Sequence, residues 1–398
     1  MKRCGNIITL VLLISAANTA CRKPYMPEVV ATPHGYLVVE GLINSGADST
    51  IIKLNRTVQL SGKSTVNPEL GAKVSIENDL NESIMLIENP NGVYVYPGLN
   101  LSTSHKYRLK IKAAGGREYA SDFEPVMVVP PIDTLTYKVE SDGVSINVNT
   151  HDPKNNTRYY RWEYDETWVY TAAFQSKYKS NGDTVLSRDL INDEIYTCWR
   201  SAYSSTILLG SSAKLLQDVI SDAPITFLSR HSEKIRHKYS AFIRQYPLTK
   251  GAYDFWVNLK KNTEQLGGIF DAQPSQINGN IHSVTDTNEP VIGYVSIGTY
   301  SGKRIFVDQR NLPAWLDYND DGCKLKDFVY SYKNPITGEI ENQVDQYINY
   351  HRATREIYIP VSAIYMLGVP IILGYNAGLP ECVDCTLHGT NKQPVFWK

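Results

Sequence analysis

From residue 35 onward, apolar and polar side chains alternate in short bursts separated by turn-forming residues. Tyr36-Leu37-Val38-Val39-Glu40-Gly41-Leu42-Ile43 is β-rich, and Thr50-Ile51-Ile52-Lys53-Leu54-Asn55-Arg56 keeps a period of two. Turn clusters follow each, Asn44-Ser45-Gly46 and Ser61-Gly62-Lys63. Ala72 to Ile76, Gly92 to Tyr96 and Tyr107 to Ile111 repeat the pattern. Short strands at this spacing, with Gly and Asn between them, predict an immunoglobulin-like β-sandwich over 35–130. Pro130-Pro131 then blocks ladder hydrogen bonds and stiffens the chain, which suits a domain junction. Beyond it, strands are predicted at Thr134 to Val139, Val144 to Asn149, Arg158 to Tyr170 and Tyr239 to Tyr246. Another spans Val291 to Val307, broken by Gly298 and Gly302 like a hairpin. Two stretches read as helices. One is 212–220, capped by Ser212, with Leu215, Leu216, Val219 and Ile220 on one face; the other is 249–264, capped by Thr249. The expectation is a mainly β protein: an N-terminal sandwich, then a larger β-rich domain over 131–398 with helical insertions.

The first residues follow a different logic. Met1-Lys2-Arg3 precedes the apolar run Ile7 to Ile14, and small residues lead up to Ala20-Cys21. This is the order of a secretory signal over 1–20, and the run is far short of the ~20 apolar residues that span a bilayer. Cys21 stands where a bacterial lipoprotein carries its acyl chains, although Asn18 occupies the place where leucine is usual. Ordinary secretion, with Cys21 a plain thiol, is the alternative. Residues 21–34, with Pro24 and Pro27, suit a lipidated tether holding a folded body off a membrane.

Composition narrows the partners. The 398 residues carry 40 basic and 41 acidic side chains, a formal net charge of −1, which gives no bulk attraction to nucleic acid. Twenty-seven Tyr against 9 Phe favours half-exposed sheets. Of 6 cysteines, Cys4 falls in the signal and Cys21 at its end, leaving Cys198, Cys323, Cys382 and Cys385. In an exported chain these are expected as two disulfides, with three pairings open. The preferred arrangement pins the C-terminal tail to Cys198 and Cys323. Zinc would need a second close pair, and a redox Cys382-Val383-Asp384-Cys385 would need a strand before it and a helix after it.

Candidate chemistry is sparse. Ser211-Ser212-Ala213-Lys214 has the S-x-x-K form of penicillin-recognising enzymes, but no K-[ST]-G follows. Gly62-Lys63-Ser64 resembles the end of a phosphate loop whose first glycine is missing, since Thr57 stands there. The 8 histidines form no H-E-x-x-H, and no G-x-S-x-G occurs, so nothing argues for an enzyme. Asp317-Tyr318-Asn319-Asp320-Asp321-Gly322 matches the first half of a calcium loop, with Asp317, Asn319 and Asp321 as candidate ligands. Phe328 stands where the bidentate glutamate belongs, and a solvated acidic turn is the alternative.

Several runs together carry a resemblance. They are Leu37-Val38-Val39-Glu40-Gly41, Lys238-Tyr239-Ser240, Arg244-Gln245-Tyr246, Phe255-Trp256, Asn262-Thr263-Glu264, Gly268-Ile269-Phe270-Asp271-Ala272-Gln273-Pro274-Ser275 and Gly279-Asn280-Ile281. Cys198-Trp199, the two tail cysteines and Pro394-Val395-Phe396-Trp397 complete the set. In this order they resemble the Bacteroidota outer-membrane lipoproteins catalogued as domain of unknown function 4249. The resemblance implies no reaction. It implies a lipoprotein encoded beside a TonB-dependent outer-membrane receptor, with an accessory or ligand-capturing role. Surface-displayed lipoproteins of that phylum often carry acidic residues after the acceptor cysteine, whereas Arg22-Lys23 follow Cys21 here, which leaves the surface and periplasmic faces both open.

The expected function is therefore a lipid-anchored, non-catalytic outer-membrane protein working with a TonB-dependent receptor, attached to the membrane through its lipid and binding no nucleic acid. A cell-surface hydrolase of glycan or peptide and a structural or adhesive envelope protein are the competing readings.

Overall fold

The computed structural model describes residues 35–58, 67–264, 279–315, 322–349 and 357–397. Within them the protein is mainly β, and no helix is long and apolar enough to cross a membrane.

The strict alternation of Thr50–Arg56 and Lys106–Lys112 appears as alternating burial. Each strand turns one face to a shared core and the other outward. One sheet is built around Leu37–Asn44, Thr50–Arg56 and Val93–Tyr96; the second around Lys73–Asn78, Lys106–Lys112 and Glu118–Ser121. Their inner faces meet in a single core that includes Leu37, Ile52, Tyr94, Ile76, Leu109 and Tyr119, which makes this part a β-sandwich.

The expectation that everything after residue 131 belongs to a later domain fails at Ile281–Gly298. Ile281–Ser283 pairs with Glu118–Ser121, while Val291–Ile292 and Ser296–Gly298 both run parallel to Leu37–Asn44. Val291, Val295 and Ile297 bury in the first core, an apolar gain that a local hairpin would not provide. Val291 to Val307 is therefore no hairpin, because Ser301–Asp308 departs to pair with Lys238–Leu248 in another sheet. Gly293 makes the close approach possible. It has φ 141°, and a Cβ there would stand 2.2 Å from the Val39 carbonyl oxygen.

A second sandwich follows. The strands Ile132–Val139, Gly143–Asp152 and Asp218–Ser229 face a sheet ordered Thr197–Tyr203, Tyr159–Thr171, Lys238–Leu248 and Ser301–Asp308. Val144, Val148, Tyr160, Trp162, Ile243 and Ile225 are among the side chains that close this core.

The helix Lys250–Glu264 forms as predicted, with Thr249 Oγ1 accepting from Ala252 N–H at 3.3 Å. The helix expected at 212–220 does not form. Leu208–Ser211 and Asp218–Ser229 are strands joined by a turn, and Leu215 and Leu216 are exposed. The decisive residue is Asp218. Its buried carboxylate accepts from the Ser212 and Tyr160 hydroxyls, and its N–H donates to Asn155 Oδ1 at 2.6 Å. A buried carboxylate with these partners fixes the turn, and Ser212 serves it rather than a helix terminus.

The C-terminal part packs a smaller sheet, Lys326–Val329, Ile372–Gly378 and Ile359–Tyr365, around Phe328, Ile348, Tyr358 and Tyr375. Disulfides Cys198–Cys385 and Cys323–Cys382 staple the tail. Trp397 seals that contact, edge-on to Trp199 and Phe306.

Candidate functional site

The run Tyr159-Tyr160-Arg161-Trp162-Glu163-Tyr164-Asp165 sorts its chemistry by strand parity. Tyr160 and Trp162 enter the core, while Arg161, Glu163 and Asp165 line a cleft. The neighbouring strand does the same. Ile243 and Gln245 are fully buried, and Arg244 and Tyr246 line the cleft. The opposite wall is the outer face of the first sandwich, with Val38, Glu40, Leu42, Ile51 and Lys53. The helix adds Phe255, Trp256 and Leu259, and the connections flanking the return strand Ser296–Gly298 add Tyr294 and Tyr300. The cleft between the two sandwiches has a volume of about 920 Å³, within the range of small-ligand sites.

Its charges are held in place. Arg244 forms a two-point pair with Asp165, one contact at 2.9 Å, and that partner raises the guanidinium pKa. Arg161 reaches Glu163 Oε1 at 2.5 Å and lies over the rings of Trp256, 4.3 Å away, and Tyr246, 4.8 Å away. Its Nε is buried without a hydrogen-bond partner among the described residues. Tyr300 donates to Asp48 Oδ2 at 2.5 Å; burial and that carboxylate both raise its pKa. Burial, then Glu163, does the same to Tyr246. Arg244, Tyr246 and Tyr300 therefore stay protonated through the physiological range. They supply fixed donors and aromatic faces, and among the described residues no histidine or cysteine lines the cleft. Two of its carboxylates, Glu163 and Asp165, are engaged by arginines.

Among the residues singled out in the sequence, the four cysteines are joined, 198 to 385 and 323 to 382. Ser211 and Lys214 sit in or beside the turn before Asp218–Ser229, where the Ser211 hydroxyl accepts from Ala213 N–H at 3.1 Å. Cys21, the Gly62-Lys63-Ser64 run, and Asp317, Asn319 and Asp321 lie outside the described residues. Among the described residues no cluster of three or more His, Cys, Asp or Glu is placed to hold a metal ion. The cleft itself was missed in the sequence. Its signal was there, since three charged residues alternate with core aromatics over 160–165.

Fold and cleft together define a mainly β protein with two packed pairs of sheets and a cleft between them. The chain belongs to the family described as Domain of unknown function (DUF4249), which matches residues 22–304. Val38, Glu40, Gly41, Arg244, Tyr246, Phe255 and Trp256, all from runs that carried the resemblance, converge on the cleft. Comparison with curated proteins finds no match. Solved structures show only remote similarity. One, manganese lipoxygenase of Gaeumannomyces graminis with a partial zonadhesin of Komagataella pastoris, is 7% identical with TM-score 0.17, covering 56% of this chain and 91% of that one. A mutant Salmonella alpha-2-macroglobulin is 11% identical with TM-score 0.19, covering 57% and 19%. The Yersinia pseudotuberculosis adhesin InvE is 12% identical with TM-score 0.14, covering 53% and 54%.

Proposed function

We propose that the protein is a lipid-anchored, non-catalytic lipoprotein of the Bacteroidota outer membrane that captures a ligand for a TonB-dependent receptor. The observation that carries the capture role is the cleft, a site of ligand size on rigid β scaffolds whose arginines are locked by carboxylates and aromatic rings. Stacked rings and immobilised ion pairs favour recognition, because little side-chain entropy remains to be lost on binding. The signal-like N-terminus ending at Cys21 supports the anchor, and two disulfides fit an oxidising compartment. Tethering would raise the concentration of the cleft beside the receptor without any new contact.

The anchor is tested by the intact mass of the mature protein isolated from membranes. The expected result is a chain starting at Cys21 and heavier by its acyl groups. A mature chain with an unmodified Cys21 would remove the membrane attachment from this account.

A further inference from the structure

The strands Ile359–Tyr365 and Ile372–Gly378 form a hairpin whose tip is Met366-Leu367-Gly368-Val369-Pro370-Ile371. The tip satisfies its backbone locally. Met366 N–H donates to the Ile371 carbonyl at 2.8 Å, and Val369 N–H to the Met366 carbonyl at 3.2 Å. Among the described residues the side chains have no such cover. Met366, Val369 and Ile371 are exposed, and Leu367 is completely so. Turn tips in water are ordinarily polar, yet no charged residue occurs from Ile357 to Pro380. Just behind the tip stand tyrosines. Tyr365 has its hydroxyl 3.4 Å from that of Tyr178, and Tyr330 donates its N–H to the Leu373 carbonyl at 2.9 Å. Both Tyr365 and Tyr330 are exposed.

We infer that the 366–371 tip is a membrane-insertion loop whose occupant is the acyl-chain edge of a bilayer, with the phenols of Tyr365 and Tyr330 at the headgroups. An uncharged apolar point backed by two exposed tyrosines follows the order in which a bilayer changes from hydrocarbon to interface. A protein-binding patch ordinarily carries a polar rim and favours arginine, whereas the tip from Met366 to Ile371 has neither a charged nor a polar side chain. Chain length bounds how far the folded body can stand from an anchoring bilayer. Residues 21–34 link the folded body at Gly35 to Cys21, and at ~3.3 Å per residue they extend at most about 45 Å. The location of that bilayer rests on the acylation proposed above; the insertion chemistry does not. A loop of this size holds weakly alone, and combined with an acyl anchor it would fix the orientation of the cleft relative to the membrane.

The test uses the chain from Arg22 onward, without acyl groups, sedimented with phosphatidylethanolamine–phosphatidylglycerol vesicles. The expected result is measurable partitioning that Leu367→Asp lowers at least about tenfold, while Leu216→Asp, at an exposed leucine of the second sandwich, leaves it unchanged. As a second reading, Leu367→Trp should gain a blue-shifted emission component that brominated lipid quenches. Failure of the wild type to partition, or equal loss in both aspartate variants, overturns the proposal. So does a Leu367→Asp variant that loses a protein partner in detergent while the wild type ignores vesicles, since that would make the tip a protein contact. Mass measurement on Cys21 is separate: an unacylated protein that still partitions removes the tether and keeps the tip, and an acylated one whose tip does not insert does the reverse.

Discussion

Gln245 shows how much a single residue settles. Fully buried, it accepts from Trp162 Nε1 at 2.9 Å and donates to the Pro130 carbonyl and Thr150 Oγ1, both at 3.0 Å. It thereby ties the junction residue Pro130 to the second core. Gln245→Leu would leave a buried indole N–H and a carbonyl without partners, so chemical denaturation should show a loss of about 2–4 kcal/mol; a loss under about 0.5 kcal/mol would mean the junction is held elsewhere. His237 gives a pH-dependent case. Burial, with Arg236 nearby, lowers its pKa from 6.5, so the folded protein resists its protonation. The stability this residue contributes is complete above pH 6.5 and is lost as pH falls through the depressed folded value. Thermal melts from pH 7.5 to 5 should show a smaller decline for His237→Gln than for the wild type. Equal declines would contradict the assignment. The inward-outward sorting of 160–165 was legible in the sequence as alternation. The partners of Gln245 were not, because they come from positions 83, 95 and 115 residues away.

At the scale of elements, strands were read well wherever alternation was strict, and the errors have physical causes. Leu215, Leu216, Val219 and Ile220 fit a helical stripe, but Val219 and Ile220 equally fit a strand starting at Asp218, and the buried carboxylate decides between them. Leu216→Lys should therefore change stability by less than about 0.5 kcal/mol, whereas Ile220→Ala should cost about 2–4 kcal/mol. A large effect at Leu216 would revive the helix. The return of Ile281–Gly298 to the first sheet was illegible because parallel pairing across so many residues leaves no local pattern. The disulfide pairing was open in the sequence for a similar reason: spacing does not choose among connectivities. Cys382 and Cys385 each close a long loop, with sequence separations of 59 and 187. Replacing Cys198 and Cys385 together by serine should lower unfolding free energy by about 3–5 kcal/mol and expose the tail to protease. An unchanged melting temperature would show that the tail is held without it.

For the whole molecule, the site is a product of assembly. No single run of residues contains it; two sandwiches, a helix and a returning strand each bring one wall, which explains why pattern reading found the scaffold and not the cleft. Trp256→Ala removes a ring that stacks on Arg161. It should deplete small molecules that co-purify with the wild type, as read by native mass spectrometry, while leaving receptor association in place. The central claim, that this chain is an envelope-anchored capture protein acting with an energised receptor, is most directly tested by tagging the C-terminus and isolating the protein from mildly detergent-solubilised membranes. The account predicts a TonB-dependent receptor in the eluate with the tagged chain. A tagged chain recovered alone, or mainly from the soluble fraction, would contradict it.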